Sequence, residues 1–287
     1  MKILNSKEYS EKLKIGEITM SDLDSVHVYN YRPKTHPELV HIVRQLISER
    51  GRDCDLNDID TSKITDMSRV FYKTKFYGDI SKWDVSNVKD MSMMFVDCTR
   101  FNCDISNWDV SNVENMNGMF NHCHQFNQPI GKWKTSSLTI AEWMFYECWK
   151  FNQNLMNWDT SNLVSARSMF ERCRSFNGKL DNWDTSSIKI MTSMFSECQN
   201  FNSDISNWDV SNVKDMSSMF HTCTSFNQPL AKWKDKISNV ENMNFMFDEC
   251  KNFNQDLSSW DITKKYTFCM LRECPLEDAY FPKNYDF

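Results

Sequence analysis

Apolar positions along this chain fall into one arrangement that repeats. It is clearest at 201–225, FNSDISNWDVSNVKDMSSMFHTCTS. Ile205, Trp208 and Val210 are spaced apolar-x-x-apolar-x-apolar, and the alternation of Trp208 with Val210 puts both on one face of a short strand. The period then changes. Met216, Met219, Phe220 and Cys223 lie at i, i+3, i+4 and i+7, the spacing of one face of a helical turn. Ser211, Asn212 and Asp215 supply turn and capping groups between the two. The unit therefore predicts a strand, a corner, a helical turn and a return through Phe226.

The arrangement recurs along most of the chain. Phenylalanines stand at Phe76, Phe101, Phe126, Phe151, Phe176, Phe201, Phe226 and Phe253, at intervals of 25 residues until the last, which is 27. A tryptophan follows each by seven: Trp83, Trp108, Trp133, Trp158, Trp183, Trp208, Trp233 and Trp260. The two extra residues fall at about 234–236, where an exposed loop tolerates them. One unit cannot bury its apolar edge alone, whereas stacked units share a continuous core. The expected fold is an α/β repeat: a right-handed leucine-rich-repeat-like solenoid of about eight 25-residue coils, each a short strand plus a helical turn, with a helical N-terminal cap. At about 4.8 Å per strand its rod would be on the order of 40 Å long.

The string FNxDISxWDVSNVxxMxxMFxxC resembles the repeat of the BspA-like leucine-rich-repeat surface-protein family, also called DUF285, over about residues 59–274. The lead-in CDLNDIDTSKITDMSRVF resembles the first, partial coil of that family. The resemblance implies a leucine-rich-repeat-like solenoid acting in adhesion or protein binding, and not an enzyme.

The ends depart from the repeat, as a stack's caps must. In residues 1–58, HPELVHIVRQLISERG reads as a helix, with Pro37 at its first position, Glu38 in its first turn and Gly51 at its stop. Leu39, Ile42, Val43 and Leu46 form its apolar stripe, widened by Ile47, and it is expected to pack on the coil of Ile59, Ile64, Met67, Val70 and Phe71. Residues 1–34 read as a small helix and an extended arm. The repeats run over 59–274. Residues 275–287, with Leu276, Tyr280, Phe281, Tyr285 and Phe287, read as a C-terminal cap, or alternatively as an exposed aromatic peptide for a partner.

Charge narrows the partners. A net charge of −6 provides no basic face for nucleic acid and no attraction to anionic lipid. The start, MKILNSKE, contains no apolar run of about seven residues as a secretory signal requires, and no stretch approaches the roughly 20 residues of a membrane span. The expected location is cytoplasmic, with a cell or virion surface as the alternative.

Chemistry-bearing residues also fall into rows. Cys98, Cys123, Cys148, Cys173, Cys198, Cys223, Cys250 and, less regularly, Cys274 supply one thiol per coil, too few for a zinc site, and read as small buried hydrophobes. Cys54, Cys103 and Cys269 stand outside that ladder and read as the surface thiols. His122 and His124 flank the inward Cys123 and read as solvated, with metal binding the minor alternative. Asn102, Asn127, Asn152, Asn177, Asn202, Asn227 and Asn254 suit a corner whose backbone groups need partners. The residue after each ladder tryptophan is Asp84, Asp109, Lys134, Asp159, Asp184, Asp209, Lys234 or Asp261. If the indoles point inward these point outward, either as a solvated face or as a patterned strip that selects a partner.

No G-x-S-x-G, phosphate loop, H-E-x-x-H or dinucleotide fingerprint occurs, and no cofactor is expected. The functional expectation is a non-enzymatic protein-binding scaffold that uses the outer face of the solenoid. A surface or virion adhesin and a self-associating rod are the alternatives. The phase of the tryptophans with Ile and Val makes them core. Trp183→Ala is then expected to cost about 3–5 kcal/mol in denaturant unfolding, and free acrylamide quenching of most native emission would contradict the inward placement.

Overall fold

Turns, rather than strands or helices, carry the chain through the repeat. The computed structural model describes residues 2–4, 11, 14 and 26–286. In the coil that begins at Phe76, backbone hydrogen bonds from residue i+3 to residue i close at Ile80–Trp83, Val85–Val88, Met91–Met94, Met93–Val96 and Phe95–Cys98. Met93 and Asp97 are left-handed, with φ of 56° and 63°. The same two positions are left-handed in nine successive coils, from Arg69 and Lys73 to Cys269 and Glu273. A right-handed helix cannot pass through such residues. The expected helical turn is therefore replaced by chained turns that still bury the i, i+3, i+4, i+7 set, Met216, Met219, Phe220 and Cys223.

The expected strand is absent too. Each coil contributes one isolated parallel bridge, in a series from Asp66↔Asp90 to Asn242↔Tyr266. The α/β solenoid of strand-plus-helix coils is thus overturned. Among the described residues, the strands are β1 (Lys2–Leu4) and β2 (Val26–Val28), paired in parallel before the repeats. The one α-helix bounded within them is α1 (His36–Arg50). Trp208 and Val210 are both buried, as alternation predicts, but a turn at Val210–Val213 follows directly and leaves no length for a strand.

Between coils, backbone hydrogen bonds run in two directions. Just before each turn segment an amide donates back to the preceding coil, as Lys89 does to Thr65 O and Glu114 to Lys89 O, whereas within the turn segment the amides donate forward. Met91, Met93, Phe95 and Asp97 donate N–H to the carbonyls of Asn115, Asn117, Met119 and Asn121 in the next coil. The carbonyls of Asp90, Ser92, Met94 and Val96 accept from Met67, Arg69, Phe71 and Lys73 in the coil before. The turn segment keeps this forward direction at all eight junctions between the nine coils. Inside, the phenylalanines form two columns of near-parallel rings, with centroids 5.6 Å apart at Phe95–Phe120 and 6.0 Å at Phe101–Phe126.

The N-terminal end is closed by α1. Thr35 caps the helix by accepting from Glu38 N–H at 3.4 Å. Gly51, at φ 94°, stops it and donates to Ile47 O. Its buried face is Leu39, Val43 and Leu46, and His36 Nδ1 lies 3.2 Å from the carbonyl of Asp66 in the first coil. At the other end Leu276, Phe281 and Tyr285 pack against the core, and Leu257 N–H donates to Tyr280 O at 2.9 Å. Phe287 and most of the small helix expected within 1–34 lie outside the described residues.

The left-handed positions separate the two local geometries by experiment. Ser218, at φ 55°, is strained for any residue with a Cβ. Ser218→Gly is expected to raise unfolding free energy by up to about 1 kcal/mol, whereas a helical turn would make the same change destabilising by about 0.5–1 kcal/mol.

Candidate functional site

The row after the ladder tryptophans is built from local turns. Asp84, Asp109, Asp159, Asp184, Asp209 and Asp261 each accept, at 2.9 to 3.1 Å, from the backbone N–H two residues on, that of Ser86, Ser111, Ser161, Ser186, Ser211 or Thr263. These are Asx turns, in which the short carboxylate replaces a backbone acceptor. Hydrogen bonds from Ser111, Ser186 and Thr263 hold Asp109, Asp184 and Asp261 below the ordinary carboxylate range. Asp209 is half-buried and the rest of the row is exposed. Lys134 and Lys234 follow 3-10 turns at Ile130–Lys132 and Ala231–Trp233, where the turn geometry differs. Lys134 borders a shallow depression of about 250 Å³ with Lys132, Thr135, Asn157 and Asp159. The row is exposed, but it converges on nothing deeper.

The inward ladders bind coil to coil. All eight ladder tryptophans are buried. Six donate their indole N–H to an Ile or Leu carbonyl of the preceding coil, as Trp83 does to Leu56 and Trp183 to Leu155, both at 2.9 Å. The indole nitrogens of Trp108 and Trp233 lack a partner. Each ladder thiol donates to the carbonyl of the preceding coil's inner phenylalanine, from Cys98 to Phe71 at 3.3 Å to Cys274 to Phe247 at 3.0 Å. Burial pushes Cys98 up to about 11, Cys274 up to about 12, and the six between them well above the ordinary thiol value. Such thiols are poor nucleophiles. All 11 cysteines are free. Cys54, expected at the surface, is buried, while Cys103 and Cys269 are half-buried. The asparagine ladder is one chain of bonds, in which Asn102 Oδ1 accepts from Asn127 N–H at 2.9 Å and the pattern continues to Asn254.

A second cluster lies on the middle coils. His124 stacks flat on Trp149, with centroids 3.7 Å and planes 2° apart. The Arg174 guanidinium lies 5.3 Å from the Trp149 ring centre. Beside them Arg172 bridges Glu147 at 2.8 Å and Glu197 at 3.0 Å, and donates to the Tyr146 hydroxyl at 3.1 Å. His122 Nε2 stands 3.5 Å from Glu147. His124 is therefore not the solvated side chain that its neighbours in sequence suggest. The signal was legible in register: His124, Trp149 and Arg174 occupy one repeat position in three consecutive coils.

His221, Asp248 and Glu249 bring possible metal-binding atoms within 4.8 Å of one another. Arg272 already donates to both oxygens of buried Asp248, at 2.7 and 2.8 Å. The group is better described as an ion pair joining the last two coils than as a cation cradle.

A stack of turn-built coils with a repeated core and variable outward rows defines a repeat protein. Residues 44–155 and 139–260 each match the family described as Mycoplasma protein of unknown function, DUF285, and the chain belongs to that family. Neither the curated proteins nor the solved structures contain a match. No helix among the described residues is long and apolar enough to cross a membrane.

Burial against Trp149 lowers the His124 pKa. A depressed folded value means that the unfolded chain binds the proton more readily. The contribution of His124 to stability is thus present above the unfolded value of about 6.5 and is lost as pH falls through the interval below it. In NMR titration the His124 midpoint should lie below about 6.5, and His124→Gln should flatten the decline in stability over that interval. A midpoint at or above the unfolded value would contradict the stacked geometry.

Proposed function

We propose that the stack is a non-enzymatic protein-binding scaffold whose recognition surface centres on the coil at 139–150. One observation carries this reading. Both tryptophans outside the ladder, Trp143 and Trp149, fall in that single coil, together with half-buried Tyr146 and exposed Ile140. The next coil adds exposed Val164 and Arg174 and half-buried Arg172. The core repeats from coil to coil, so it cannot encode a partner's identity. Specificity belongs to what varies outward, and Trp, Tyr and Arg are the residue types that dominate binding hot spots. The His124 imidazole is already stacked on the Trp149 indole with the Arg174 guanidinium beside that ring, which lowers the entropy lost on association.

The row after the ladder tryptophans is the competing surface. Its aspartates are engaged in their own turns, which leaves Lys134 and Lys234 as its variable members. Affinity capture with the intact protein, followed by titration of the captured partner, separates the two. Trp149→Ala with Arg174→Glu is expected to weaken binding by about 2 kcal/mol or more, roughly 30-fold, with the thermal midpoint little changed. Lys134→Asp with Lys234→Asp is expected to leave it nearly unaltered. The reverse pattern would move the binding surface to the tryptophan-adjacent row, and loss from neither pair would remove both.

A further inference from the structure

The two ends of the stack are chemically unlike along the turn segment, whose alternate amides donate toward the C-terminal side at every junction. In the penultimate coil Met243, Phe245, Phe247 and Glu249 donate to the carbonyls of Tyr266, Phe268, Met270 and Arg272. The equivalent donors of the last coil are Thr267, Cys269, Leu271 and Glu273, with Cys269 and Glu273 at the left-handed positions, φ 51° and 59°. Among the described residues the N–H groups of Thr267, Cys269 and Glu273 meet no acceptor. That of Leu271 donates to the Tyr285 hydroxyl at 3.2 Å. A side-chain oxygen thus stands where the next coil's carbonyl would be, which shows that the position accepts an oxygen.

Two further observations coincide there. A cavity of about 700 Å³ opens at this end, lined mainly by apolar groups of Leu271, Cys274, Phe281 and Tyr285 and also by the charged Arg272, Glu273 and Asp286. Tyr266 and Phe268, the most exposed large hydrophobic residues among those described, stand at the same end with 69% and 68% of their surface free. An end face with directional donors, an unfilled and largely apolar cavity and exposed aromatic rings is an unfinished junction. We propose that the C-terminal end of the stack is an edge-pairing site for a segment of a partner polypeptide that adopts the coil conformation. The segment would offer carbonyl oxygens at alternate residues to Thr267, Cys269 and Glu273 and place an apolar side chain in the cavity.

The occupant follows from the eight junctions that precede it. Each is made by one arrangement, alternate carbonyls presented to alternate amides, and the last coil continues the donor half of it. Main-chain pairing of this kind is the logic by which an open sheet edge captures a strand. A second copy of this chain fits poorly. Tail-to-tail contact sets N–H against N–H, and head-to-tail contact meets α1, whose His36 already touches Asp66 O. Tyr285 competes with the segment for one of the four donors, so its removal should favour binding.

The probe is a synthetic peptide of residues 213–226, because in the chain the carbonyls of Asp215, Ser217, Met219 and His221 accept from Met191, Ser193, Phe195 and Glu197. Labelled peptide is titrated with the full-length protein by fluorescence anisotropy, and amide exchange is followed residue by residue. In the free protein the amides of Thr267, Cys269 and Glu273 should exchange much faster than those of Met243, Phe245 and Phe247, and saturating peptide should slow them at least tenfold. Phe268→Asp, an exposed position, should weaken binding at least tenfold at an unchanged melting temperature, and Tyr285→Phe should tighten it several-fold. No binding at millimolar peptide, affinity insensitive to Phe268→Asp, equal protection of the end amides in the free protein, or a dimer in light scattering would each overturn the proposal.

Discussion

The shared forward direction of the amides in each coil's turn segment is the constraint on which the rest of the structure depends. Each coil presents alternate carbonyls to the coil before and alternate amides to the coil after. The peptide groups in that segment therefore point the same way, and the chain reaches this arrangement only by placing two residues per coil in the left-handed region. Each such residue costs about 1–2 kcal/mol where a Cβ is present. The expense is offset because the interior donors and acceptors of that segment are then paired, and leaving one buried and unmade would cost about as much. Other donors run the opposite way: the amides of Lys89, Glu114 and their equivalents, together with the indole and thiol groups, donate back to the preceding coil. Consecutive coils are thus tied from both sides, which is why the bonding reads as ladders.

Left-handed residues and surface variety are linked by the same geometry. Gly118 is the only glycine among the paired left-handed positions, although glycine would suit all of them. Arg69, Met93, Trp143, Ser168, Phe245 and Cys269 occupy equivalents of that position; Arg69 is exposed, Ser168 is buried and the other four are half-buried. A site whose backbone is fixed by its neighbours accepts chemically different side chains at similar cost. Trp143 stands in the coil that is richest in accessible aromatics for this reason: the turn holds its backbone and the side chain is left to vary.

Much of the stack was legible in the sequence. The 25-residue phase of Phe76 to Phe226 and of their tryptophans located the coils, and the inward set was read residue by residue from spacing. Pro37, Glu38 and Gly51 marked the helix that closes the N-terminal end. The conformation of the coil was not legible. An i, i+3, i+4, i+7 pattern reports which side chains share a face, and chained turns with a left-handed residue every four positions satisfy it as well as a helix does. Alternation of Trp208 with Val210 was equally indifferent between a strand and a turn entry. The turn-forming role of the Asp row went unread for a related reason, since an outward acidic residue two places before a serine or threonine can close an Asx turn as well as carry a charge. The His124–Trp149–Arg174 stack was hidden because those residues are far apart in sequence and meet only when the coils are laid in register.

The sameness of the junctions has a consequence for how such a chain changes over generations. Nothing at an interior junction counts coils; the number is fixed by what sits at either end, α1 before the first and the aromatic tail after the last. A duplication or deletion of one whole unit would recreate a junction of the kind already present and leave both ends untouched. Recombination between neighbouring repeats therefore has a tolerated step size, one coil, and the two-residue insertion near Lys234 to Lys236 shows that a coil also absorbs a small slip at its outer loop. Lineages of this architecture are free to lengthen or shorten in whole coils, and each step carries the tryptophan-bearing coil nearer to one end or further from it.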